Sequence, residues 1–394
     1  MKILHNRRTT VAALVAASAL LLTACATTPA EAPAASATAS GDSGSRVALT
    51  YDGGIYVLDG TTLELVSDLP LEGFNRLNPA GDGQHVLVST ADGFRVLDTA
   101  GDTELTDLVF DAPTPGHVVR HDGRTILFSD GTGDSIIFDT ASINSDELPE
   151  TEVVPSEAPH HGVAIELKDG TLLSTLGTAD GRTGVRALDA SREEIVRSED
   201  CPSVHGEGAA QNEIAVFGCS NGVLVYNDGT FTKITAEDAY GRTGNQYVSE
   251  TSPITVGDYN SDPDSEGSLL SELLLTDTVA LSSTVVDLPE GVEYTWRGVA
   301  RTADDNAVIL GSDGALHALD VTTGEIVSST PVIDAWEGPA EWQDAHPALI
   351  VIGQTAYVTD PATNSIHAVD LSTGEITASA ELDETPNEIA VVTG

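Results

Sequence analysis

Short runs in which apolar and polar residues alternate recur along the chain at a spacing of about forty residues. "GGIYVLD" closes at Asp59, "DGFRVLD" at Asp98, "DSIIFD" at Asp139 and "GVRALD" at Asp189. "GVLVYN" closes at Asn227, "GALHALD" at Asp320 and "NSIHAVD" at Asp370. A second alternating run precedes each one, such as "HVLVST", "TILFSD", "EIAVFG" or "TAYVTD", and several endings continue through "TTGEI" or "STGEI" into a further strand. Period-2 runs split by Asp-Gly and Gly-rich turns predict antiparallel hairpins. No stretch carries a long helical period. Four strands per unit at this spacing predict an all-β fold, a single β-propeller.

Eight units start near residues 46, 74, 115, 158, 203, 245, 294 and 340; merging two would leave seven blades. The unit from 245 is interrupted by the acidic insertion "GDYNSDPDSEGSLLSELLLTD". The tail "DETPNEIAVVTG" has the character of an innermost strand with nothing after it, and the first unit, from Arg46, lacks such a strand. The C-terminal strand is therefore expected to complete the first blade and close the ring, which removes exposed sheet edges. Length alone would suggest two or three domains, but the repeat points to one, over residues 46–394.

The N-terminus changes the picture of where this propeller works. Lys2, Arg7 and Arg8 precede the apolar run "VAALVAASALLL" and the ending Leu22-Thr-Ala-Cys25. A basic start, an apolar stretch of about a dozen residues and a small-residue cleavage site describe an export signal. The ending is that of a bacterial lipobox, with residues 1–24 removed and Cys25 lipidated. Residues 25–45, rich in Ala, Ser, Thr and Pro, read as a flexible tether. The expectation is an exported protein, anchored by lipid to the outer face of the cytoplasmic membrane. The formal charge of −45, from 17 basic against 62 acidic residues, opposes binding to nucleic acid or anionic lipid headgroups.

Cys201 and Cys219 are the other two cysteines. An even pair in an oxidising compartment favours a disulfide. Two strands around a turn at Gln211-Asn212 would bring them nearly opposite each other; two thiolate ligands for a metal are the alternative. A bridge would steady the strand that carries His205.

The repeat also sorts the ten histidines. His317 and His367 stand three residues before the closing Asp of their units, and His85 begins a middle strand; these positions read as structural. His117 ("TPGHVVRHDG"), His161 ("APHHGVA") and His205 ("CPSVHGEGA") instead stand at the entrances of innermost strands in consecutive units, 44 residues apart twice over. His346 ("QDAHPALIVIG") holds the equivalent place in the last unit. Innermost strands surround one channel, so four imidazoles are expected to converge at one end of it. Zinc takes three or four such donors at about 2.0–2.3 Å, although imidazole also suits copper and nickel. Gly116, Gly162 and Gly206 would allow backbones to approach closely there. His160, His121, Glu207 and Asp344 are candidates for supporting positions around the metal.

The motifs "GHVVRHDG", "PHHGVA", "CPSVHGEGA" with "FGCSNGVLVYN", and "YVTDPATNSIHAVDLSTGE" together resemble the AztD family of bacterial zinc metallochaperones. The resemblance covers the chain from about residue 46 to the end. It implies an extracytoplasmic propeller, a non-enzyme, that binds Zn²⁺ by histidines and hands it to the solute-binding protein of a zinc ABC importer. Carried over to this sequence it implicates His117, His161, His205 and His346 as ligands, with Cys201 and Cys219 at the family's cysteine pair. Family members carry a histidine-rich segment near the mature N-terminus, whereas residues 26–45 here contain no histidine. A monomer is expected. The alternatives are a propeller enzyme of hydrolase or lactonase type and a surface interaction platform with a structural metal. The chain has no HExxH pair.

Overall fold

In the computed structural model, residues 44–101, 103–265 and 269–394 are described. The export signal, Cys25 and the tether as far as residue 43 lie outside them. The described chain winds into eight four-stranded antiparallel sheets, seven of them running from the channel outward in chain order. The innermost strands of blades 2 to 8 are Arg76–Pro79, Pro115–His121, Ala164–Glu166, His205–Ala210, Gln246–Tyr247, Val299–Arg301 and Leu349–Ile352. Blade 6 absorbs the acidic insertion between its strands Ile254–Tyr259 and Glu272–Asp277.

The expected closure is present. The strand Ile389–Val392 pairs antiparallel with Arg46–Tyr51, placing Leu49 opposite Ile389 and Arg46 opposite Val392. It takes the innermost place in blade 1. The Tyr357 hydroxyl of blade 8 also donates to the carbonyl of Gly60 in blade 1 at 2.7 Å.

Burial follows from the stacking of blades. The middle strands His85–Thr90 and Gly93–Asp98 are almost wholly buried because neighbouring blades cover both faces, whereas the outer strand Leu65–Leu71 is largely exposed. The core is thus a series of interblade seams. One joins Val119 of blade 3, Val163, Ile165 and Val185 of blade 4, and Ala209 and Phe217 of blade 5. Burying a side chain such as Phe217 contributes about 1.5–3 kcal/mol, so these seams hold three innermost strands in fixed relation.

Candidate metal centre

Blades 3, 4 and 5 are consecutive, and each delivers one imidazole to the same place. His117 lies within the innermost strand of blade 3, His161 three residues before that of blade 4, and His205 at the first residue of that of blade 5. Their ligand atoms lie within 4.8 Å of one another. The Nε2 of His161 is 3.0 Å from that of His205 and 3.4 Å from that of His117. Three nitrogens bound tetrahedrally to zinc at 2.0–2.1 Å would be about 3.3 Å apart. The side chains are spaced for one ion.

Their hydrogen bonds select the tautomer that such an ion needs. His161 Nδ1 donates to Asp130 Oδ2 at 2.6 Å, and His205 Nδ1 donates to the carbonyl of Gly244. With both Nδ1 atoms protonated, the Nε2 lone pairs face each other, which is unfavourable without a cation between them. Burial pushes the His117 imidazolium well below its usual pKa, helped by His205 and His161. Burial likewise holds His205 down at about 3. Arg182 and Arg242 add positive charge that lowers His205 further. Both rings are therefore neutral and available at neutral pH.

Asp130 directly follows the second strand of blade 3, Arg124–Ser129, and antiparallel pairing sets that end beside the start of the innermost strand. A Cβ on Gly116 would meet Asp130 Oδ1 at 2.2 Å, so glycine is what admits the carboxylate. Gly206 has φ +68, and a Cβ there would lie 2.7 Å from Asn245 Cα. Its absence lets His205 reach Gly244. Histidine spacing does not point to Asp130. The signal available is an acidic residue directly after the second strand of the blade before His161.

No protein-family model matches the chain. Over 302 residues it is 24% identical to the zinc chaperone AztD of Citrobacter koseri, an alignment that covers 74% of this chain and 68% of that protein. Two crystal structures of Citrobacter koseri AztD, one of them apo, superpose with TM-scores of 0.73 and 0.74 at 20% identity. They cover 89% of this chain and 98% and 97% of theirs. The chain is similar to AztD. The dihydro-heme d1 dehydrogenase NirN shares the architecture at a TM-score of 0.62 and 13% identity, over 89% of this chain and 75% of that one, which is a likeness of fold alone.

The AztD resemblance read from the sequence is thus found over most of the chain, and the cysteine pair behaves as expected. Cys201 and Cys219 form a disulfide with Cα atoms 4.9 Å apart. They flank a hairpin that turns at Gln211–Glu213, where Asn212 has φ +64. His205 pairs with Gly218, the residue beside Cys219.

The fourth expected ligand is a correction: His346 does not join the triad. In an eight-bladed ring blade 8 stands across the channel from blade 4, so matching entrances do not bring the two together. His346 holds the register of His161, since Ala348 N donates to Thr359 Oγ1 as Val163 N donates to Thr175 Oγ1. Its ring nevertheless folds back, with Nδ1 donating to the Asp344 carbonyl at 2.7 Å. The following residue is Pro347 where His161 has Gly162, and proline restricts the residue before it. Asp344 lies with it, its carboxylate accepting from Glu341 N at 3.0 Å.

The other supporting candidates divide. His160 is buried under the loop, its Nδ1 donating to Ala158 O at 2.8 Å and its Nε2 accepting from Thr175 Oγ1 at 3.1 Å. It braces the segment that presents His161. Glu207 lines the channel cavity with His117, and burial pushes its carboxyl up to about 7. His121, at the far end of its strand, sits between Glu250 Oε1 at 3.0 Å and Glu213 Oε2 at 2.9 Å and ties blades rather than the metal. His85, His317 and His367 each pair locally with serine or aspartate side chains, as structural histidines do.

Proposed function

We propose that this protein is an extracytoplasmic zinc metallochaperone. It binds one Zn²⁺ between His117, His161 and His205 at the channel entrance and passes it to the solute-binding protein of a zinc ABC importer. The reading has it exported, lipid-anchored through Cys25, and monomeric. It is a carrier and not an enzyme. The observation that carries this reading is the convergence of three Nε2 atoms, two of them with Nδ1 held by an acceptor. The likeness to a protein named zinc chaperone AztD supports the choice of metal.

A carrier must release what it holds, and the surroundings favour that. The His161 side chain is 44% exposed, so an acceptor's ligands can reach the ion from that side. The cationic Arg182 and Arg242, felt by His205, oppose a divalent charge, while Asp130 offsets them. Three protein nitrogens leave a fourth coordination position free for the acceptor. The test is a transfer assay. Zinc-loaded protein is mixed with a zinc-free solute-binding protein, and metal is followed across separated species. Transfer faster than dissociation into free chelator supports hand-over; equal rates show that only binding occurs.

A further inference from the structure

The channel contains a feature that the histidine triad does not use. A cavity of about 410 Å³ opens beside His117, with walls drawn from seven of the eight blades. Its polar side includes side-chain nitrogens without hydrogen-bond partners, although Arg297 binds Asn387 and Glu388 through its Nη atoms and Arg76 forms an ion pair with Glu388. Arg76 Nε, Arg297 Nε and Gln246 Nε2 are each buried and make no hydrogen bond. Arg297 is only 7% exposed, and Arg76 Nε is 3.6 Å from Glu388 Oε2, beyond hydrogen-bond reach. The Arg120 side chain is reached by channel solvent and has no hydrogen bond or ion pair among the described residues.

A buried donor left without an acceptor costs desolvation free energy that nothing returns. Such groups collected around one space indicate a missing acceptor. Glu388 on the wall does not supply it, because its Oε1 is engaged by Arg297 at 2.5 Å and its Oε2 stays 3.6 Å from Arg76 Nε. In a chain of formal charge −45, three arginines on one cavity wall select an anion.

The remaining wall describes the rest of the ligand. Leu77, Val299, Leu349 and Ile350 give it an apolar side. The Trp296 ring is approached by Arg76 Cζ at 4.9 Å and Arg297 Cζ at 5.0 Å. A bare inorganic anion would leave this side empty. We propose that the channel cavity binds a small organic acid, with its carboxylates on Arg120, Arg76 and Gln246 and its carbon body against Trp296 and Leu349.

The site is tested in the full-length, zinc-free chain, so its outcome does not depend on the zinc reading. Succinate, citrate and benzoate are titrated by calorimetry and tryptophan fluorescence, beside inorganic phosphate and the uncharged succinamide. At least one acid binds once per chain, with a Kd below about 1 mM. Arg120→Gln weakens it about tenfold or more and leaves zinc affinity unchanged. Arg120→Lys, which keeps the charge but loses the planar fork, weakens it less, and reports on the same point should the glutamine variant fail to fold. The proposal is overturned if none of the three acids binds by about 10 mM, if Arg120→Gln binds as wild type does, or if phosphate or succinamide binds as tightly as the acids.

Discussion

Asp130 Oδ2 accepts the Nδ1 proton of His161 across 2.6 Å, and the two residues belong to neighbouring blades. An acid from blade 3 thereby fixes the ring orientation of a ligand from blade 4. The metal centre is consequently a property of the assembled ring. Partners of this kind typically change metal affinity about 10- to 100-fold. Asp130→Asn keeps an acceptor but loses the charge and is expected near the lower figure, with Asp130→Ala nearer the upper. Zinc competition against a chelator of known affinity measures both, and unfolding curves should remain close to wild type.

Gly206→Ala should damage both stability and the metal centre. The residue sits at φ +68, and an added Cβ would meet Asn245 Cα at 2.7 Å. Strain of this sort costs about 1–3 kcal/mol. Relief would move His205 away from the Gly244 carbonyl. Urea unfolding should show the loss, and zinc affinity should fall in the same variant.

Removing the disulfide should loosen the strand beneath His205. The bridge spans 18 residues of sequence, and closing such a loop is worth about 3 kcal/mol in the chain-entropy model. A Cys201→Ala/Cys219→Ala double variant is expected to unfold at lower denaturant by that order. Its zinc affinity should fall less than that of any ligand variant, since register with Gly218 still positions His205.

His346 supplies a prediction about pH. Burial, with Arg297 nearby, pushes its imidazolium down to about 4. An unfolded histidine titrates near 6.5, so below that value the unfolded chain takes up the proton more readily than the folded one. The stability it contributes is complete above about 6.5 and is lost as pH falls toward about 4, a change of about 3 kcal/mol. His346→Gln should flatten this part of the pH profile of unfolding, read from denaturant midpoints at each pH. The same variant should bind zinc as wild type does, because His346 lies apart from the triad.

Much of this was legible in the alternation of residues. Eight blades, closure through Ile389–Val392 and the three consecutive histidines follow from period-2 runs and a constant 44-residue step. What one repeat cannot express is the position of a blade around the ring. His346 matches His161 in register and is separated from it by the width of the channel. Asp130 escaped for a related reason: its partner lies on the next blade, and a single carboxylate at a strand end is unremarkable among 62 acidic residues. The buried nitrogens without hydrogen bonds, Arg76 Nε, Gln246 Nε2 and Arg297 Nε, come from three blades, and only the closed ring assembles them.

The most direct test of the central claim is a calorimetric zinc titration of the chain beside His117→Ala, His161→Ala and His205→Ala. Three ligands acting on one ion predict a stoichiometry of one. Each substitution should weaken binding by at least about a hundredfold, ~2.7 kcal/mol. Wild-type affinity in any one of the three variants, or a stoichiometry that persists when two histidines are gone, would contradict the centre described.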